Sequence, residues 1–259
     1  MNGSGSLWLF ANIVAVLLGA SIGSFLNVCI YRLPRRISIV SPSSFCPACG
    51  NRIKPYHNIP VLSYIFLRGR CAYCGARFSA RYPLVEALTA ALAWATLQRF
   101  GLSVPAPIYF VFLCALVVAT FVDIEFKIIP DEITLGGLAL GLLLSPLLPQ
   151  GFVSSLFGAV LGGGILWLVA FLYERITGRE GMGFGDVKLL AMMGCFLGAR
   201  NIPLILLASS LAGSVVGVAM MVFFKKSRLY ALPFGPFLAL GGALSLFFGD
   251  AMWNLLFRF

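Results

Sequence analysis

The first charged side chain in this 259-residue sequence is Arg32, and from there the chain returns again and again to long apolar runs. Such runs decide the solvent. A helix needs about 20 mostly apolar residues to cross a hydrocarbon layer about 30 Å thick, because it rises about 1.5 Å per residue. Segments 7–30, 84–100, 105–122, 132–149, 152–173, 186–200, 202–224 and 236–257 reach or approach that length. Pro105, Pro107, Pro130, Pro146, Pro149, Pro203, Pro233 and Pro236 punctuate them. The run at 186–200 is short and contains Lys188, so its ends are the least defined. Hydrophobic residues make up 60% of the chain and charged residues 11%, against about 45–50% and about 25% in soluble domains. So few charges cannot cover a soluble surface. The expected fold is an all-α polytopic membrane protein of about eight transmembrane helices, with membrane lipid around it.

The net charge of +10 raises nucleic acid as a partner, but the placement of the charge speaks against it. Nine of the 19 Lys and Arg lie between Arg32 and Arg81, directly after the first apolar run. That is the positive-inside pattern, which sets orientation. The first run lacks the preceding basic stretch of a cleaved signal, so it reads as a retained span with its N-terminus outside. Loops 31–83, 123–131, 174–185 and 225–235 then fall in the cytoplasm and, counting Lys188 at the cytoplasmic end of its span, 16 basic residues lie inside, leaving Arg99, Arg200 and Arg258 outside. Three regions follow: a first span at 1–31, a polar cytoplasmic loop at 32–82, and a seven-helix membrane region at 83–259. Glycines 162, 163, 164, 213 and 217 recur along the spans, where small residues let helices approach closely.

The polar loop repeats itself. Cys46-Pro47-Ala48-Cys49-Gly50 is echoed by Cys71-Ala72-Tyr73-Cys74-Gly75, with 21 residues between the pairs. Four thiolates at this spacing predict one tetrahedral, structural zinc site made by Cys46, Cys49, Cys71 and Cys74. Disulfides are disfavoured on a reducing cytoplasmic side. Cys29, Cys114 and Cys195 lie within spans and read as small apolar fillers, and His57 as a loop residue near the site.

Only nine acidic residues exist, and all but Asp250 gather at the inner ends of spans. An ionisable group at membrane depth is costly and marks function. Asp123 ends one apolar run. Asp186 follows Gly181-Met182-Gly183-Phe184-Gly185 and opens another. Both lie at the same face on different helices. Two adjacent carboxyls cannot both ionise cheaply, so one can act as base on water while the other, protonated, polarises a carbonyl. Gly183 and Gly185 would give the backbone freedom for a substrate to approach. An N-cap is the competing reading for Asp186, and the partner Asp123 favours catalysis. Asp131, after Pro130, is expected to cap a helix beside Glu132, with Glu125 and Lys127 on a solvated loop face; the role of Glu86, four residues into a span, stays open. The sole histidine excludes Ser–His and H-E-x-x-H proteases. No Walker-type phosphate loop occurs. A proton- or cation-coupled transporter would place its charges near the midplane, often in repeated halves.

These motifs together resemble the type IV prepilin peptidases, the leader peptidase/N-methyltransferases. The resemblance rests on Gly23-Ser24-Phe25-Leu26-Asn27-Val28, Tyr31-Arg32-Leu33-Pro34, the two cysteine knuckles and Asn58-Ile59-Pro60-Val61-Leu62-Ser63-Tyr64. It continues through Arg81-Tyr82-Pro83-Leu84-Val85-Glu86, Asp123 to Asp131, Gly181 to Leu189, and Pro233-Phe234-Gly235-Pro236-Phe237. One departure is His57, where the family commonly has an acidic residue. The resemblance implies Asp123 and Asp186 as the catalytic pair, and prepilins or pseudopilins as substrates. It further implies a bacterial inner (cytoplasmic) membrane location with the active site toward the cytoplasm. It also implies N-methylation of the new N-terminus from S-adenosylmethionine, for which the sequence displays no recognisable binding motif and for which loop 32–82 with its neighbouring helix ends is the expected place. A peptidase without the methyltransferase step is the alternative within the family.

Overall fold

The computed structural model describes residues 3–41, 43–178, 182–224 and 232–257. Gly181, Arg258, residues 179–180 and most of loop 225–235 lie outside the described residues. Among the described residues there are nine α-helices and no strands. They are α1 (Gly3–Arg32), α2 (Leu62–Phe66), α3 (Arg81–Phe100), α4 (Pro105–Phe126), α5 (Asp131–Leu144), α6 (Gly151–Thr177), α7 (Phe184–Leu197), α8 (Ile202–Phe224) and α9 (Gly235–Phe257). They form two compact units, Met1–Val118 and Ala119–Phe259.

Five helices, α1, α4, α6, α8 and α9, are both long and apolar enough to cross a membrane. The expected eight spans therefore narrow to five that meet both conditions. Helices α5 and α7 have 14 residues each, about 21 Å at 1.5 Å per residue, which falls short of a hydrocarbon core. Helix α3 has 20 residues but carries Glu86, Thr89, Thr96, Gln98 and Arg99, which dilute its hydropathy.

In the first unit α1 packs along α3. Gly19 and Gly23, four apart, make this possible. A Cβ on Gly19 would stand 2.7 Å from Ala93 Cβ, and one on Gly23 2.7 Å from Glu86 Cα. The segment between the helices folds as two matching knuckles. In the first, Cys46 N–H donates to Asn51 O at 2.9 Å and Gly50 N–H to Cys46 O at 2.8 Å. In the second, Cys71 N–H donates to Ala76 O at 2.8 Å and Gly75 N–H to Cys71 O at 3.0 Å. Gly50 and Gly75 close both turns at φ near +70°, where a Cβ is disfavoured.

In the second unit α7 is the central post. Every residue from Leu189 to Leu197 is buried, and α5, α6, α8 and α9 all pack on it. A helix apolar on all sides belongs inside a bundle. Glycines set the distances: the backbones of Gly158 on α6 and Gly194 on α7 touch, and a Cβ on Gly162 would lie 2.7 Å from Leu190 O. Close backbone approach of this kind is how helices associate without a hydrophobic driving force.

Candidate active site and metal centre

Asp123 sits one turn before the end of α4, and the chain then turns sharply at Lys127, whose N–H bonds Asp123 O at 2.9 Å with φ +56°. That turn leads through Ile129 and Pro130 into α5. Asp123 is 6% exposed. Its Oδ2 accepts the N–H of Gly235 at 2.9 Å. Gly235 is the first residue of α9, so the carboxylate meets one of the unsatisfied N–H groups and the positive dipole end of that helix.

Asp186 is 8% exposed and occupies the first turn of α7, with its N–H on Gly183 O at 3.1 Å. It does not cap the helix. Gly183 holds the N-cap position, and the Asp186 Oδ1 is buried with no hydrogen-bond partner. Both sequence-predicted carboxylates lie at one end of the second unit, Asp123 against the start of α9 and Asp186 at the start of α7. Ile129, 9% exposed, packs between the two helix starts. A Cβ on Gly185 would lie 3.2 Å from Ile129 Cβ, and one on Gly235 3.1 Å from Ile129 Cδ1.

The roles of the glycines differ from the expectation. Gly183 has φ −71°, and Gly185 is also outside the positive-φ region, so neither uses a backbone conformation denied to other residues. Gly185 matters for room against Ile129. The capping role expected of Asp131 is also corrected. No side chain caps α5, and Asp131 forms an ion pair with Lys188 on α7. An ammonium two residues beyond Asp186 finds its counter-ion on the adjacent helix. Sequence reasoning missed this pair and the part played by Gly235. The scarcity of charges was the available signal for the first, since charges at membrane depth pair.

The four knuckle cysteines converge in the first unit. Their Sγ atoms all lie within 4.8 Å of one another, with Cys46 and Cys74 3.9 Å apart. Four thiolates about 2.3 Å from a tetrahedral ion stand about 3.8 Å from each other, so the set is a slightly open cage that could hold a metal ion. All four are free thiols. The N–H groups of Cys74 and Tyr73 lower the Cys71 thiol to about 7, which favours the ligating thiolate. Cys29, Cys114 and Cys195 are buried, as expected of fillers. His57 packs its ring on Tyr56 at 4.4 Å and toward Tyr73 at 6.1 Å. Glu86 is buried on α3 and accepts the Val61 N–H at 2.7 Å.

Comparison with known proteins finds relatives for both parts of the chain. Residues 17–100 match the bacterial peptidase A24 N-terminal domain, and residues 110–218 match the type IV leader peptidase family. The chain is 39% identical to the prepilin leader peptidase/N-methyltransferase of Pseudomonas putida, over 93% of this chain and 91% of that protein. It is 37% identical to that of Pseudomonas aeruginosa, over 94% and 92%, and 38% identical to that of Aeromonas hydrophila, over 96% and 94%. No solved structure matches. With the two domain models met in order and these relatives aligned almost end to end, the chain belongs to the type IV leader peptidase family.

Proposed function

We propose that this chain is a membrane aspartyl endopeptidase that removes the leader peptide of type IV prepilins or pseudopilins and then methylates the new N-terminal amine. The observation that carries the reading is the buried pair of Asp123 and Asp186, one carboxylate held by the Gly235 N–H and the other with a free buried oxygen. Asp123, with a helix N-terminus to stabilise its charge, is the better placed to take the proton from an attacking water. Asp186, protonated, donates to the scissile carbonyl oxygen. When the tetrahedral intermediate collapses the C–N bond breaks, the proton held on Asp123 passes to the departing amine, and the oxygen returns its proton to Asp186 as the new carboxyl forms. The basic residues of 32–81 support a cytoplasmic orientation for the polar segments at a bacterial inner membrane, where a polar leader would remain while the following apolar helix sits in lipid.

Zinc is the metal that suits four thiolates. It would be structural, fixing the two knuckles. S-adenosylmethionine would supply the methyl group: the neutral amine attacks the methyl carbon, the C–S bond electrons stay on sulfur, and the amine proton leaves to water. Incubating the purified protein with a prepilin and the methyl donor tests both steps by mass spectrometry. The expected product lacks the leader and carries one added methyl. An intact prepilin would overturn the peptidase reading, and a cleaved but unmethylated one would overturn the second step.

A further inference from the structure

Helix α2 carries its apolar side chains on the outside. Leu62, Ile65 and Phe66, spaced i, i+3 and i+4, share one helical face and are 51%, 62% and 81% exposed. The opposite face is fastened to the first unit. Ser63 is buried, and its Oγ donates to Tyr56 O at 3.1 Å and accepts the Ile59 N–H at 2.9 Å. The Tyr64 hydroxyl donates to Phe78 O at 3.4 Å, and its ring lies against Gly69. With these bonds in place the helix cannot turn its apolar face inward.

Glu86 sets the height of α2 along the spans. The Val61 N–H, one residue before α2, donates to Glu86 Oε2 at 2.7 Å. Glu86 belongs to α3, and a Cβ on Gly23 of α1 would stand 2.7 Å from its Cα. Gly23 precedes the last residue of α1, Arg32, by about 13 Å of helix at about 1.5 Å per residue. Leu84 and Leu88, on either side of Glu86, are themselves exposed, so an apolar surface reaches this level of α3. Helix α2 thus stands at the height of the spans and not out in solution beyond them. The charge around it has one sign. Residues 32–82 contain no Asp or Glu, and Arg68 and Arg70, just after α2, are exposed. Large apolar side chains beside arginines suit the interface of an anionic bilayer, where the former enter the acyl boundary and the latter meet phosphates. We propose that the face made by Leu62, Ile65 and Phe66 is a membrane anchor seated in an anionic lipid surface, with Arg68 and Arg70 on the headgroups. The segment between the two knuckles is then held to the bilayer at a place of its own, besides α1 and α3.

Photocross-linking tests it. Full-length, metal-loaded protein carrying Phe66→p-benzoylphenylalanine is placed in vesicles of phosphatidylcholine and phosphatidylglycerol and irradiated, and the peptide containing position 66 is weighed. Lipid adducts are expected, as in a Leu17→p-benzoylphenylalanine control on an exposed site of α1. Phosphatidylglycerol should be enriched among them by about fivefold over its share of the mixture, the factor that one arginine at a charged surface contributes. Arg68→Gln should lower that enrichment without changing the metal content. Cross-links to a second copy of the chain, or to residues 119–259, would overturn the proposal in favour of protein packing on this face. A position 66 without lipid, beside a labelled control, would overturn it outright. Adducts in proportion to the mixture, unchanged by Arg68→Gln, would overturn the headgroup contacts.

Discussion

Replacing Gly235 with alanine should cripple cleavage while leaving the protein folded. The added Cβ would lie 2.7 Å from Asp123 Oδ2 and 3.1 Å from Ile129 Cδ1. The first distance is closer than a Cβ comes to any atom, so the carboxylate must swing away from the Gly235 N–H that it accepts at 2.9 Å. A hydrogen bond to a charged group contributes about 1.5–3 kcal/mol. If that contribution acts in the transition state, kcat/KM should drop by about 10- to 150-fold at about 1.36 kcal/mol per decade. Alanine is a better helix former than glycine by up to about 1 kcal/mol, which offsets only part of the lost bond, so the melting temperature should fall modestly while unfolding stays cooperative. Lost activity in a protein that remains folded separates a displaced catalytic group from a damaged helix. The assay is prepilin cleavage in detergent or proteoliposomes, combined with Asp123→Asn in a double-mutant cycle. In the Asp123→Asn background Gly235→Ala should add little, because the carboxylate that it displaces is already gone. Full kcat/KM in Gly235→Ala would refute the reasoning, because Asp123 would then not depend on the α9 N-terminus.

Asp123→Asn and Asp186→Asn should each abolish cleavage alone, since members of one catalytic unit fail together; full activity in either sinks the pair. Asp131→Asn should reduce cleavage by less than about tenfold, because the ion pair with Lys188 is partly exposed and such pairs contribute about 0–1 kcal/mol; complete loss would move Asp131 into the catalytic group. Metal analysis should find about one zinc per chain, and Cys46→Ser with Cys49→Ser should release it. Acidification should release it too, because protons displace metal from thiolates. A cysteine introduced at Ser43 should react only with a membrane-permeant reagent, and ready labelling from outside would invert the orientation.

The helical class and the two chemistry-bearing clusters were legible in the sequence because both depend on scarcity. Charges are few, so Asp123 and Asp186 stood out, and the paired spacing of Cys46, Cys49, Cys71 and Cys74 has few other uses. The span count was not legible. Helix α7 is as apolar as a membrane span, but its surroundings are other helices, and an apolar run does not say whether lipid or protein covers it. The partnership of Asp131 with Lys188 also depends on α5 and α7 lying side by side, which no local pattern encodes. Gly183 and Gly185 show the same limit. Glycine can serve freedom or room, and only the position of Ile129 tells which applies at Gly185. The close contact of Gly19 and Gly23 with α3 has a local signature, a small-x-x-x-small spacing.

The matching knuckles have a thermodynamic consequence. A metal ion held by both acts as a cross-link between Cys46–Cys49 and Cys71–Cys74, closing a loop that contains Asn58, Val61 and Ser63. By the chain-entropy relation, closing a loop of roughly 25 residues removes about 3.5 kcal/mol of disorder from the unfolded ensemble. Val61, at φ +61°, is one of the few non-glycine residues with a strained backbone, and it lies inside that loop with its N–H on Glu86. Free metal concentration would thereby become a variable of folding for this segment, and starvation for the ion would be felt as a loosening of the turn at Val61 and of α2 that follows it.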